Sequence, residues 1–173
     1  MHVLHLLRHA KAGSGEEVED RERPLSRRGR EAARRVGHDL QAAIGPLDLV
    51  LCSTARRTRE TLELALAGWA PRPRMLIEDA LYLAGPAALV RRLEAIAEED
   101  HRVLLIGHNP GLHELALALA APDAGHYAAL LSGKFPTGAR ASFRIASPWS
   151  GIARDRHPLL DYATPKSLGG DEG

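Results

Sequence analysis

An arginine and a histidine close the first apolar run of the chain. Residues 2–7, HVLHLL, have strand length and lead straight into Arg8 and His9. A neutral imidazole can attack phosphorus, and a guanidinium can fork onto two phosphate oxygens. Two later runs end in similar chemistry. LDLVLC, 47–52, leads into Ser53 and then Arg56, Arg57 and Arg59, while RVLLI, 102–106, leads into Gly107, His108 and Asn109. A shorter run, MLI at 75–77, is followed by Glu78 and Asp79. In an open α/β sheet, ligands bind beyond the carboxyl ends of the strands. Parallel neighbours would bring these four ends to one edge, where two histidines and at least two arginines outnumber the carboxylates. Such a pocket suits an anion, and nearby helix N-termini add free N–H groups and their dipoles.

Helical rotation separates the three clustered arginines. Arg57 lies four residues past Ser53, one turn into the next helix, and can point back at the strand ends. Arg56 and Arg59 turn away by about 100° per residue and belong to a solvated face. No H-E-x-x-H pattern is present and the neighbouring charges are positive, so no metal is expected.

The elements that must hold these residues alternate between strand and helix. Ser26 is an N-cap for a helix running to about residue 43, with Ala33, Val36 and Leu40 on one face. Residues 55–68 form a second helix with Leu62, Ala65, Leu66 and Trp69 aligned, and Gly85-Pro86 opens a third with Leu89, Leu93, Ile96 and Ala97. A fourth follows Gly111, with Leu112, Leu115, Ala116 and Leu119 on its face. Residues 13–25 and 122–139 read as loops, the latter because of Pro122, Gly125, Gly133, Pro136 and Gly138. ASFRI, ending at residue 145, alternates like an antiparallel or edge strand, and 158–164 suits one more. The pattern predicts a single α/β domain: a largely parallel central sheet, helices on both faces and an antiparallel edge.

Composition narrows the function classes. The 173 residues suit one domain with a sizeable core, built from aliphatic side chains because only 4% are aromatic. With 23 basic and 22 acidic residues, the net charge of +1 argues against nonspecific binding to nucleic acid or a membrane surface. The one cysteine, Cys52, excludes an internal disulfide. No apolar run approaches the ~18 residues of a membrane span, and no secretory signal is evident, so a cytoplasmic location is expected.

Taken in order, LLRHAKA (6–12), D-x-x-R-P-L (20–25) with SRRGR after it, LVLCSTARRTRET (49–61), ALYLA (80–84), VLLIGHNPGL (103–112), KFPTGA (134–139) and DYATPK (161–166) resemble the histidine phosphatase superfamily. Within it they resemble the phosphohistidine phosphatase (SixA-like) branch. The likeness spans nearly the whole chain. It implies a phosphatase domain over 1–166; the terminal SLGGDEG, 167–173, reads by itself as a frayed tail. The likeness also implies that His9 is the nucleophile, and that Arg8, Arg57 and His108 hold the phosphoryl oxygens. The implied substrate is a phosphohistidine-bearing protein, such as a phosphotransfer domain or phosphocarrier, and no cofactor is implied.

Two departures matter. Ala10 stands where the wider superfamily has glycine, and Leu83 stands where its alcohol-phosphate branch keeps a carboxylic acid. Without an acid, an imidazole (pKa near ~6.5) leaves far more readily than an alkoxide. Glu78 and Asp79 are the candidates for a displaced acid, and Arg23 and Asn109 for substrate contact. The other readings are a small-molecule phosphomonoesterase of the same superfamily and a non-catalytic phosphoprotein-binding module.

Overall fold

The computed structural model describes residues 1–14, 17–123 and 125–170. Residues 15, 16 and 124 of the two expected loops, and 171–173 of the expected frayed tail, lie outside the described residues. Six strands form one sheet: β1 (His2–Arg8), β2 (Leu49–Ser53), β3 (Arg74–Glu78), β4 (Arg102–Gly107), β5 (Arg140–Ile145) and β6 (Leu159–Ala163). Their order is β3-β2-β4-β1-β5-β6. The first four are mutually parallel, and β5 runs antiparallel to β1 and β6.

Alternation along the parallel strands builds a core on each face, which is why they read as continuous apolar runs. Leu4, Leu6, Leu49, Leu51, Val103 and Leu105 pack with α3 (Pro86–Glu94) and α4 (Gly111–Leu119). Leu7, Val50, Cys52, Leu104 and Ile106 pack with α1 (Arg27–Ala43) and α2 (Arg56–Ala65). Ser26 caps α1, its Oγ accepting from Gly29 N–H at 3.0 Å. Residue 29 must be glycine for this packing, since a Cβ there would lie 2.0 Å from the Lys11 carbonyl oxygen. Helix α1 is thereby seated directly on the loop that follows His9.

One expectation is corrected. Within the segment read as loop, α5 (His126–Ser132) forms between two glycines and packs on β6. Asp123 Oδ1 accepts from the N–H groups of Gly125 and Tyr127, and Leu130 is fully buried. Seven residues are too few to be helical on propensity alone, so cap and burial supply what the pattern lacks. Helix α2 also ends earlier than its apolar face suggests; Trp69 lies beyond it, past Gly68 with φ +80°. Residues 167–170 turn back on the domain, with Gly170 N–H donating to the Pro165 carbonyl at 2.7 Å.

Candidate active site

Register places the histidines side by side. Arg8 of β1 pairs with Gly107 of β4, so His9 and His108 are the next residues out on adjacent parallel strands. Ser53 ends β2 on the other side of β4. The backbone around His9 is fixed on both flanks: His9 N–H donates to Gly107, and Gly138 N–H bridges the carbonyls of Arg8 and His9. Helix α2 is tied to two of these strand ends, with Thr61 Oγ accepting from Ala10 N–H at 3.0 Å and Thr58 Oγ donating to Ser53 at 2.8 Å.

His9 is 7% exposed. Its Nδ1 sits 2.7 Å from the carbonyl oxygen of Ala10. A carbonyl only accepts, so this contact puts the ring proton on Nδ1 and the lone pair on Nε2. Burial is the main cause that pushes the His9 pKa down to about 3, and His108, Arg8 and Arg57 push the same way. The ring is therefore neutral across the ordinary pH range.

Three more groups surround it. The rings of His9 and His108 are 5.4 Å apart. His108 Nε2 lies 2.8 Å from Ser53 Oγ, which also accepts from Ala55 N–H. His108 Nδ1 lies 3.4 Å from Arg57 Nη2, a long contact in which only the guanidinium can donate; an oxyanion taking its place would accept from both, with the His108 ring proton on Nδ1 and the Ser53 hydroxyl donating to Nε2. Burial, then Arg57, lowers the His108 pKa to about 4. Arg57 is 2% exposed, and its Nε is buried without a partner. Arg8 Nη1 donates to the Phe135 carbonyl at 3.2 Å, and its Nε is likewise buried and unpartnered. One buried and one half-buried guanidinium, each with an unpartnered Nε–H, beside two neutral imidazoles are equipped to receive a tetrahedral dianion.

The helical phasing of the arginines holds. Arg56 pairs with Glu60 at 3.3 Å and Arg59 Nε caps the Thr54 carbonyl, both outside the pocket. Asn109 gives its amide hydrogens to the Lys134 and Phe135 carbonyls, so it orders that loop. Phe135 has φ +49°, a costly backbone angle for an aromatic residue, in the loop that presents its carbonyl to Arg8 and Asn109. Arg23 is turned onto Asp20 and the Gly13 carbonyl. Glu78 and Asp79 follow β3, an edge strand separated from β1 by β2 and β4. Glu78 is paired with Arg92 at 2.6 Å, and Asp79 with Arg21 and Thr54.

The carboxylate that does reach the site is Asp20, in the short 3-10 turn Asp20–Glu22. Its Oδ2 accepts from Arg57 Nη2 at 3.0 Å and from Tyr82 O–H, and its backbone carbonyl accepts from Arg57 Nη1 at 2.8 Å. These bonds, Tyr82 foremost, hold its pKa down to about 2. The Tyr82 and His108 rings form a T-shaped pair, and the Arg21 guanidinium lies over the Tyr82 ring. The D-x-x-R spacing with Arg23 was a visible signal for a bonded pair; the reach to Arg57 was not encoded in any spacing. Beside Arg8 opens a cleft of about 520 Å³, lined by Lys134, Pro136 and Tyr162 and walled by α5.

Fold and site together define an α/β protein of the histidine phosphatase type. The chain belongs to the histidine phosphatase superfamily: residues 4–81 match the model of its branch 1. The uncharacterized protein Rv1276c of Mycobacterium tuberculosis is 33% identical over 163 residues, covering 92% of this chain and 100% of that one. Among solved structures, a candidate phosphohistidine phosphatase SixA from Nakamurella multipartitia superposes with a TM-score of 0.83 at 29% identity, covering 95% of this chain and 96% of its own. A candidate SixA from Agrobacterium tumefaciens gives 0.79 at 27% identity, covering 95% and 99%. Among the described residues, no helix is long and apolar enough to cross a membrane.

Proposed function

We propose that the protein hydrolyses phosphohistidine on protein substrates through a covalent phosphohistidine on His9. The observation that carries this reading is the 2.7 Å contact between His9 Nδ1 and the Ala10 carbonyl, which leaves Nε2 as a lone pair in a pocket of cations. Nε2 attacks phosphorus in line. The P–N bond to the substrate imidazole breaks, and its electron pair leaves with a ring that is already protonated on its other nitrogen. Water then attacks the phosphorus of phospho-His9, the Nε2–P bond breaks, and orthophosphate departs with the water's proton going to a phosphoryl oxygen or solvent. Arg8, Arg57 and His108 hold the equatorial oxygens and offset their charge. His9 reaches this chemistry neutral, with no proton to lose first.

The state of the carboxylates supports a P–N over a P–O bond. Asp20 is held deprotonated and has no proton to give, while Glu78 and Asp79 are engaged by arginines. An imidazole leaves without help; an alkoxide does not. The open cleft beside Arg8 suits a phosphorylated side chain presented on a protein surface. The similarity to SixA-like proteins points the same way. The test is a phosphatase assay on a phosphohistidine protein beside an aryl phosphate and a sugar phosphate. Rapid loss of phosphohistidine with a nearly inert sugar phosphate is expected; the reverse order would make the protein a small-molecule phosphomonoesterase.

A further inference from the structure

Arg57 has five N–H groups in a fixed fork. Asp20 takes one hydrogen from Nη1 through its backbone carbonyl at 2.8 Å and one from Nη2 through Oδ2 at 3.0 Å. What remains is the Nε–Nη2 edge, whose Nε is buried without a partner and whose Nη2 faces His108. Asp20 is itself braced. Tyr82 O–H donates to Oδ2, Arg23 Nε donates to Oδ1 at 3.1 Å, and Arg23 Nη1 anchors that brace on the Gly13 carbonyl.

We infer that Asp20 is a positioning residue that acts through Arg57, turning its Nε–Nη2 edge onto the transferring phosphoryl group, with Tyr82 and Arg23 holding Asp20 in place. This rests on the function proposed above. An arginine side chain beside a second, half-buried guanidinium would otherwise swing towards water; burial and Arg57 together already lower the Arg8 pKa. Asp20 opposes that repulsion and fixes one rotamer. Its own oxygens are occupied, and its charge would repel a phosphoryl oxygen, so it does not touch the substrate. The same charge weakens the pull of Arg57 on a ground-state anion. Removing Asp20 therefore separates turnover from binding.

The experiment is a double-mutant cycle on the full chain with an aryl phosphate as substrate, each variant checked by thermal melting. Asp20→Ala should lower kcat by about 10- to 100-fold, the scale of a misplaced catalytic group, with KM changed by less than about threefold. Asp20→Asn, which keeps one acceptor, should recover much of the loss. In an Arg57→Ala background, Asp20→Ala should add less than about twofold, because partners in one unit are not additive. An undiminished loss in that background would overturn the inference and make Asp20 a direct participant, as would wild-type kcat in Asp20→Ala. A second readout needs no turnover: the Arg57 Nε–H signal in NMR should shift when orthophosphate is added to wild type and broaden in Asp20→Ala. If wild type turns over neither aryl phosphate nor phosphohistidine, the functional reading fails on its own. An Arg57 signal unchanged by Asp20→Ala would still refute the positioning role.

Discussion

His9 and His108 face each other across the ends of two adjacent parallel strands, with ring centroids 5.4 Å apart and planes inclined at 56°. Each is held by a different second group, the Ala10 carbonyl for one and the Ser53 hydroxyl for the other. The two rings are thus equivalent in type but not in tautomer control. Only His9 has a geometry that commits its proton to Nδ1.

The arginines of α2 should divide sharply. Arg57→Ala removes a buried donor from the proposed phosphoryl clamp and should lower kcat/KM by about 10²- to 10³-fold. Arg56→Ala and Arg59→Ala remove exposed groups and should stay within about twofold of wild type. Steady-state kinetics on one aryl phosphate decides this. Equal losses at all three positions would contradict the placement of Arg57.

Leaving-group dependence should be steep. Phosphoimidazoles and aryl phosphates of acidic phenols should react, and alkyl phosphates should hardly react. Glu78→Gln and Asp79→Asn should each change rates only a few-fold, whereas loss of a true general acid costs about 10²- to 10⁴-fold. A flat dependence on leaving-group pKa, with a large loss in either variant, would refute acid-free departure.

Stability should fall on the acid side of neutrality. Burial is the leading cause that lowers the pKa of His5 and His9 to about 3 and of His108 to about 4. Their unfolded values are near ~6.5. Above that pH all three are neutral in both states and the folded protein has its full stability. As pH falls from 6.5 towards 3, the unfolded chain takes up protons that the folded chain refuses, and stability drops. Asp20, held to about 2, adds a loss in the same direction at still lower pH. Thermal melting should occur at a lower temperature at pH 5 than at pH 8. Because His9, the proposed nucleophile, is already neutral, kcat/KM corrected for substrate ionisation should stay flat from pH 5 to 8. A melting temperature higher at pH 5, or an acid limb near pH 6.5 in kcat/KM, would contradict these assignments.

The parts of the site that lie on regular elements were legible in the sequence. Arg8, His9 and His108 follow apolar runs, and parallel pairing alone brings such ends together. Arg57 follows from helical rotation after Ser53. The rest depends on contacts that no local period records. Asp20 and Tyr82 meet across 62 residues of sequence, both from irregular segments, so neither could be phased. Glu78 and Asp79 also follow a strand, but sheet order, unreadable from the runs themselves, puts that strand at the far edge. Helix α5 is short and set between glycines, and its stability comes from burying Leu130 and from the Asp123 cap.

The most direct test of covalent catalysis by His9 is acid-labile phosphoenzyme trapping. Enzyme mixed with a ³²P-labelled phosphohistidine protein is quenched in alkali within milliseconds, and the labelled residue is mapped by mass spectrometry. The label should appear on Nε2 of His9 at a rate no slower than turnover, and should be absent from His9→Ala. Turnover without any protein-bound phosphate, or a label on His108 that persists in His9→Ala, would contradict the assignment.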